Sequence, residues 1–228
     1  MVVVVSAWTP PEAVIFDFNG TVSDDEPLLA ELYLEIFAHV GVEFPVDRYY
    51  AELAGYSDPE IIERVLRTAG RFDRALAASL AERLVAAYLR AVAERPPVTA
   101  AAADCVRRIA ERVPIAVASG ARRAQVEAVL AAAGLRDLFG AVVCAEDVSR
   151  GKPDPEVFLS AACRLGVVPG TALVFEDSAQ GVAAAVAAGM RCVAVEGTFA
   201  ASPLQAAGAL AVVPRLDWSI PVMREFFP

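Results

Sequence analysis

The feature that most constrains this chain is a set of short apolar runs that do not alternate with polar residues. They are residues 13–16, 114–118, 141–144, 172–175 and 192–195, with 209–213 as a sixth candidate. A strand with one wet face alternates in character. A strand without a polar face is covered on both sides, as in parallel sheets. Between the runs, apolar residues recur at helical spacing. Val106, Ile109, Ala110 and Val113 form one stripe, with Thr99 as its N-cap. Val126, Val129, Leu130 and Ala133 form a second, closed by Gly134, and Phe158, Ala161, Ala162 and Leu165 a third, closed by Gly166. Strands alternating with helices predict an α/β fold, a doubly wound parallel sheet with right-handed crossovers.

One segment breaks the alternation. Residues 22–97 read as helical throughout. Leu29, Leu32, Tyr33, Ile36, Phe37 and Val40 make a stripe ended by Gly41, and Leu76, Leu80, Leu84 and Tyr88 make another. Pro96-Pro97 returns the chain to the sheet. The predicted organisation is a core of residues 1–21 and 98–228 with a helical cap, 22–97, inserted after the first strand. A chain of 228 residues, 57% hydrophobic, has enough apolar material for both.

The formal charge of −9 opposes binding to nucleic acid or to an anionic membrane. A small anionic substrate would need a locally positive pocket. Cys105, Cys144, Cys163 and Cys192 form no CxxC pair, and His39 is the only histidine, so no zinc site is expected. Isolated cysteines among Ala and Val read as core residues in a reducing compartment. The start, Met1–Val5, lacks the basic region of a signal peptide, and no run reaches the length of a membrane span. These points predict a cytoplasmic protein. There is neither a GxGxxG motif nor a P-loop for a nucleotide.

In open α/β sheets, ligands bind beyond the carboxyl ends of the strands. Asp17, Asn19, Gly20 and Thr21 follow the first run, and Ser119-Gly120 the second. Glu146, Asp147 and then Lys152 follow the third, and Glu176-Asp177-Ser178 the fourth. One face thus collects carboxylates, a hydroxyl and an ammonium, the parts needed to hold a metal and a phosphoryl group. Among 20 Lys and Arg residues, Lys152 is the only lysine, and it falls on this face. An acidic N-cap would account for one of Glu176 and Asp177, but not for both plus Ser178. Ser119 reads either as a ligand or as an N-cap. Asp24, Asp25 and Glu26 read as a solvated helix start matched to the helix dipole. Arg122 and Arg123 read either as contacts for a substrate anion or as exposed first-turn residues.

Together these residues resemble the haloacid dehalogenase superfamily. The resemblance rests on Asp17-Phe18-Asn19-Gly20-Thr21, Ser119-Gly120, Lys152 in Gly151-Lys152-Pro153, and Phe175-Glu176-Asp177-Ser178. The helical insert resembles the cap of the phosphoglycolate phosphatase and β-phosphoglucomutase-like branch, with Gly55-Tyr56-Ser57-Asp58 similar to its specificity loop. The resemblance implies a Rossmann-like core and a Mg²⁺-dependent phosphatase acting on a small phosphorylated metabolite, a sugar phosphate or a phosphoglycolate-like compound. It implies Asp17 as nucleophile, passing through an aspartyl-phosphate. It implies Asp17, the Asn19 carbonyl, Glu176 and Asp177 at the metal, and Ser119, Gly120 and Lys152 at the phosphate. Tyr56, Ser57 and Arg123 are candidates for substrate specificity, and the chain is expected to be a monomer or homodimer.

One position departs from the family pattern. A second aspartate usually stands where this chain has Asn19, serving as general acid and then base. A carboxamide does not titrate in the useful range, and general acid–base help is typically worth 10²–10⁴-fold. Two readings follow: an active phosphatase with a compromised proton-transfer step, for which Asp24 and Asp25 are candidate stand-ins, or a catalytically weakened phosphate-binding or regulatory protein. A mutase needs proton transfer twice per cycle and fits less well. A metal-free dehalogenase would leave Glu176-Asp177 unexplained.

Overall fold

The computed structural model describes residues 9–53, 56–196 and 201–227. Met1–Val5 and Gly55 lie outside the described residues. The six apolar runs become six parallel strands: β1 (Ala13–Phe16), β2 (Ile115–Ala118), β3 (Phe139–Val143), β4 (Ala172–Glu176), β5 (Arg191–Val195) and β6 (Ala211–Val213). Their order in the sheet is β3-β2-β1-β4-β5-β6. The chain starts in the middle and winds outward in both directions. The switch point, where such sheets open a crevice, lies between β1 and β4.

Successive side chains of each strand point to opposite faces, and both faces are covered. Val14, Phe16, Val117, Phe175 and Val193 join one apolar cluster. Ile15, Ala116, Ala118, Val174 and Ala194 join a second. The second face also receives Val157, Phe158 and Ala161 from α7 (Glu156–Leu165) and Val182 and Ala185 from α8 (Ala179–Ala187). The first receives α5 (Ala100–Ala110) and α6 (Arg123–Ala132). Thr99 caps α5 as expected, accepting from the Ala102 amide at 3.1 Å. Gly134 and Gly166 follow their helices with φ of 63° and 71°, a conformation that suits glycine.

The segment between β1 and α5 holds α1 (Glu26–His39), α2 (Val46–Arg48), α3 (Asp58–Thr68) and α4 (Arg74–Glu94). It is not helical throughout. Residues 41–45 are irregular around Gly41 and Pro45, and Tyr49–Leu53 form a π-helical turn. Its buried side chains, among them Tyr33, Phe37, Leu84 and Tyr88, are continuous with the first face of the sheet. Two short helices, α9 (Ala201–Ala206) and α10 (Pro221–Phe226), complete the chain. No described helix is long and apolar enough to cross a membrane.

Candidate active site

The site grows directly out of the sheet. The Asp17 amide donates to the Phe175 carbonyl at 2.8 Å, extending the β1–β4 ladder by one residue. Asp17 is thereby held beside the point where Glu176 and Asp177 leave β4. The chain then turns sharply: the amides of Thr21, Val22 and Ser23 all donate to the Phe18 carbonyl. Gly20 sits in this turn at φ 78°, and a Cβ there would come within 2.1 Å of Asp177 Oδ2. Only glycine satisfies both the turn and the neighbouring carboxylate.

The first turn of α8 wraps Glu176 in the same way. Ser178 caps that helix, accepting from the Gly181 amide at 3.0 Å, and its own amide donates to Glu176 Oε2. A Cβ on Gly181 would lie 1.6 Å from Glu176 Oε1, so that glycine is required for the carboxylate to fit. One carboxylate oxygen from each of Asp17, Glu176 and Asp177 lies within 4.8 Å of the others. Lys152, carried by the loop between β3 and α7, reaches into this group. Its Nζ is paired with Asp17 Oδ1 and lies 2.8 Å from Glu176 Oε1 and 5.0 Å from the centroid of the Phe158 ring.

Electrostatics follow from this crowding. Burial raises the Asp17 pKa to about 7; Lys152 opposes the shift and Glu176 adds to it. Burial also raises Asp177 well above the ordinary carboxylate range, with Glu176 and Asp17 contributing. Burial pushes the Lys152 pKa down, but Asp17 and Glu176 outweigh it and hold the ammonium charged. Three buried carboxylates around one lysine are under-compensated. Their oxygen-only donor set fits a hard divalent cation such as Mg²⁺, which would relieve the repulsion.

Ser119 leaves β2 with its amide bonded to the Val143 carbonyl at 2.9 Å. Its Oγ accepts from the Ala121 amide at 3.0 Å, which leaves the hydroxyl able to donate to a ligand. It is not an N-cap, since α6 starts four residues later. Around Gly120 there is open space where a Cβ would stand, so its backbone is accessible to a ligand. Asp17, Asn19, Ser119, Gly120, Lys152, Glu176, Asp177, Tyr56 and Ser57 all line one cavity of about 470 Å³.

Three expectations are corrected. Arg123 does not line this cavity. Its guanidinium is held by Asp147 and by the Val142 carbonyl, and it lies 3.7 Å from Glu127. It braces β3 against α6. Asp25 and Glu26 are not a solvated helix start. Asp25 is fully buried, accepting from Tyr88 OH and from Asn19 Nδ2, the latter at 2.7 Å. Burial lifts its pKa to about 7, against the Tyr88 hydrogen bond. The candidate stand-ins for an acid at position 19 both fail to line the cavity, since Asp24 is exposed and Asp25 is sealed off.

Glu26 and Tyr49 do line the cavity, as does Gln125, and none of the three was expected there. Tyr49 OH donates to Glu26 Oε2 at 2.6 Å. Asp58, in the loop read as a specificity element, accepts from Tyr33 OH at 2.7 Å and from Gln125 Nε2 at 3.2 Å. A signal for Glu26 was present: it stands three residues before Leu29 and seven before Tyr33, on the buried stripe of α1. Tyr49 and Gln125 carried no comparable signal.

A carboxylate cluster and a lysine at the switch point of a parallel sheet could hold a metal ion and a phosphoryl group. Comparison with known proteins makes this specific. Residues 11–189 match the haloacid dehalogenase-like hydrolase family, and the chain belongs to that family. It is 38% identical to fructose-1-phosphate phosphatase YqaB of Escherichia coli K12 over 80% of this chain and 95% of the relative. It is 30% identical to hexitol phosphatase B of the same organism, over 80% of this chain and 82% of the relative. The structure superposes on β-phosphoglucomutase from Clostridium difficile with a TM-score of 0.82, covering 95% and 97% of the two chains at 22% identity. The relatives make it a phosphoric monoester hydrolase of that family, and its fold is that of the β-phosphoglucomutase-like branch.

Proposed function

We propose that this chain hydrolyses the phosphomonoester of a small sugar or a related metabolite, with Asp17 as nucleophile and Mg²⁺ as cofactor. The observation that supports this most is the placement of Asp17. Its carboxylate is ion-paired to Lys152 and stands within one cluster with Glu176 and Asp177, facing a cavity large enough for a sugar phosphate. The sugar-phosphate assignment draws on the two relatives, a fructose-1-phosphate phosphatase and a hexitol phosphatase.

Lys152, the Ser119 hydroxyl and the Gly120 amide hold the phosphoryl oxygens, and Lys152 offsets the charge between phosphoryl group and nucleophile. A carboxylate oxygen of Asp17 attacks phosphorus as the bond to the ester oxygen breaks, giving an aspartyl-phosphate and an alkoxide that takes its proton from solvent. Water then attacks phosphorus and releases phosphate, restoring the Asp17 carboxylate. Asp17, Asp177, Glu176 and the Asn19 carbonyl would hold Mg²⁺, which supplies charge stabilisation for the transferring group. Asn19 lines the cavity beside Asp17 without a proton to give, and its Nδ2 is committed to Asp25. Both proton transfers therefore lack a carboxyl partner at this position.

That last observation favours a second reading, a protein that binds phosphate esters and turns them over slowly. Phosphate release from a panel of sugar, sugar-alcohol and small-metabolite monophosphates, with and without Mg²⁺, tests the main reading. Mg²⁺-dependent release from at least one compound supports it. Tight binding without release throughout the panel supports the second reading instead.

A further inference from the structure

We propose that Asp25 is a positioning residue for the second half of the reaction. It holds the Asn19 carboxamide with its nitrogen turned inward and its Oδ1 turned to the cavity, where that oxygen orients the water that attacks the aspartyl-phosphate. The inference rests on the phosphatase reading above and gives a use to two residues that reading leaves idle. Asn19 is half-buried and lines the cavity, and its Nδ2 donates to Asp25 Oδ2 at 2.7 Å. With the nitrogen committed inward, the end of the carboxamide left to the cavity is Oδ1.

Asp25 does not itself meet the substrate, since it is fully buried and does not line the cavity. It is firmly placed. Tyr88 OH, from α4, donates to the same Oδ2. The backbone is pinned on both sides: the Asp24 amide donates to the Pro97 carbonyl at 2.7 Å, and the Asp25 carbonyl accepts from the Leu29 amide at 2.8 Å. Asp25 Oδ1 has no hydrogen-bond partner, so Oδ2 stays an acceptor whether or not the carboxyl holds a proton. An apolar side chain would fill this buried place without the cost of desolvating a carboxyl. What it would not supply is an acceptor that decides which end of Asn19 faces outward.

The direction matters for the water. An outward Oδ1 accepts one hydrogen of the water and leaves a lone pair free to face phosphorus, as a water-orienting carboxamide does in phosphoryl transfer. A reversed amide would offer only N–H donors, which would engage that lone pair instead. The water oxygen bonds to phosphorus as the bond to Asp17 breaks, and the proton leaves to solvent. Asn19 takes no proton; a carboxylate in its place would keep the acceptor and add a base.

The test uses the full chain with Mg²⁺ and acetyl phosphate, whose acetate leaving group needs no acid. Rapid quenching and mass spectrometry read formation and decay of the Asp17 phosphoryl group separately. Asp25→Ala is expected to slow decay about tenfold or more and to leave formation within about threefold of the parent. Asp25→Asn keeps an acceptor oxygen and should stay within about threefold in both steps. In an Asn19→Ala background decay is already slow, and Asp25→Ala should change it by less than about twofold, because it acts only through Asn19. Tyr88→Phe loosens Asp25 without emptying its place. It should slow decay by a smaller factor, again only when Asn19 is present, and it carries the test should Asp25→Ala fail to fold. Decay at the parent rate, slowing of the same size with and without the Asn19 side chain, or formation slowed as much as decay overturns the inference and leaves the phosphatase reading intact. No phosphoryl group on Asp17 of the parent overturns that reading and the inference with it.

Discussion

The two walls of the cavity are built by different means. The inner wall, Asp17, Ser119, Lys152, Glu176 and Asp177, hangs from strand ends and the turns just after them. Its positions follow from backbone bonds such as that from the Asp17 amide to Phe175, and from glycines that make room for carboxylates. The outer wall, Glu26, Tyr33, Tyr49 and Asp58, comes from helices and turns inserted after β1. Its positions follow from side chains meeting across elements: Tyr49 with Glu26, Tyr33 with Asp58. The inner wall is the part that chemistry demands of any substrate. The outer wall can change without disturbing the sheet, and we assign to it the choice of substrate.

Disabling the inner wall should therefore remove turnover of every substrate alike. Asp17→Asn should lower kcat by roughly 10⁴-fold or more for each donor in a panel, since the proposed nucleophile is lost. A residual rate within tenfold of the parent would contradict its role. Asn19→Asp acts in the opposite direction. It places a second carboxyl against Asp25, so the pair retains a proton near neutral pH and supplies the missing acid. A rise in kcat of about 10²-fold or more is expected from steady-state assays. A fall would mean that the amide itself serves the reaction.

Metal removal separates the walls by stability. Mg²⁺ should relieve repulsion among Asp17, Glu176 and Asp177 and stabilise the fold by about 2–3 kcal/mol at a hundredfold excess over Kd, read as a rise in Tm. Asp177→Asn should abolish most of that gain, whereas Glu26→Gln should leave it in place; differential scanning with and without chelator reads both. On the outer wall, Tyr49→Phe removes the donor to a buried carboxylate and should cost about 1–2 kcal/mol in stability. It should raise KM for the preferred ester more than it lowers kcat.

The smallest expected effect concerns pH. Burial raises the Asp58 pKa, opposed by hydrogen bonds from Tyr33 and Gln125. A carboxyl with a raised folded pKa favours folding below its unfolded pKa. That contribution is lost as pH rises through the folded value. Asp58→Asn should therefore flatten the fall in stability above the ordinary carboxylate range. Denaturant midpoints from pH 4 to pH 7 would show it, and identical slopes in parent and variant would refute it.

The inner wall was legible in the sequence because strand ends and glycine-dependent turns are local. Asp17-Phe18-Asn19-Gly20 and Glu176-Asp177-Ser178 both fall immediately after apolar runs, and the structure brings them together. The outer wall was only partly legible. Tyr56, Ser57 and Asp58 were read as a specificity loop, and the described residues of that loop line the cavity. Glu26 reads, with Asp24 and Asp25, as a solvated helix start matched to the helix dipole, although its helical phase puts it with Leu29 and Tyr33. Arg123 failed in the other direction. A cation near a strand end suggested an anion contact, but Asp147 of the next loop claims it. Both errors concern charges whose partners lie far away in sequence, which spacing alone does not reveal.

The most direct test of Asp17 uses the weakness at Asn19. Without a general base for the attacking water, the aspartyl-phosphate should persist long enough to isolate. Mixing the protein with Mg²⁺ and acetyl phosphate, quenching in acid and mapping the modified peptide by mass spectrometry reads this directly. The account predicts one added phosphoryl group on the peptide carrying Asp17, absent in Asp17→Asn and much reduced in Asn19→Asp. A phosphoryl group on another residue, or turnover with none at Asp17 at the earliest quench, would contradict it.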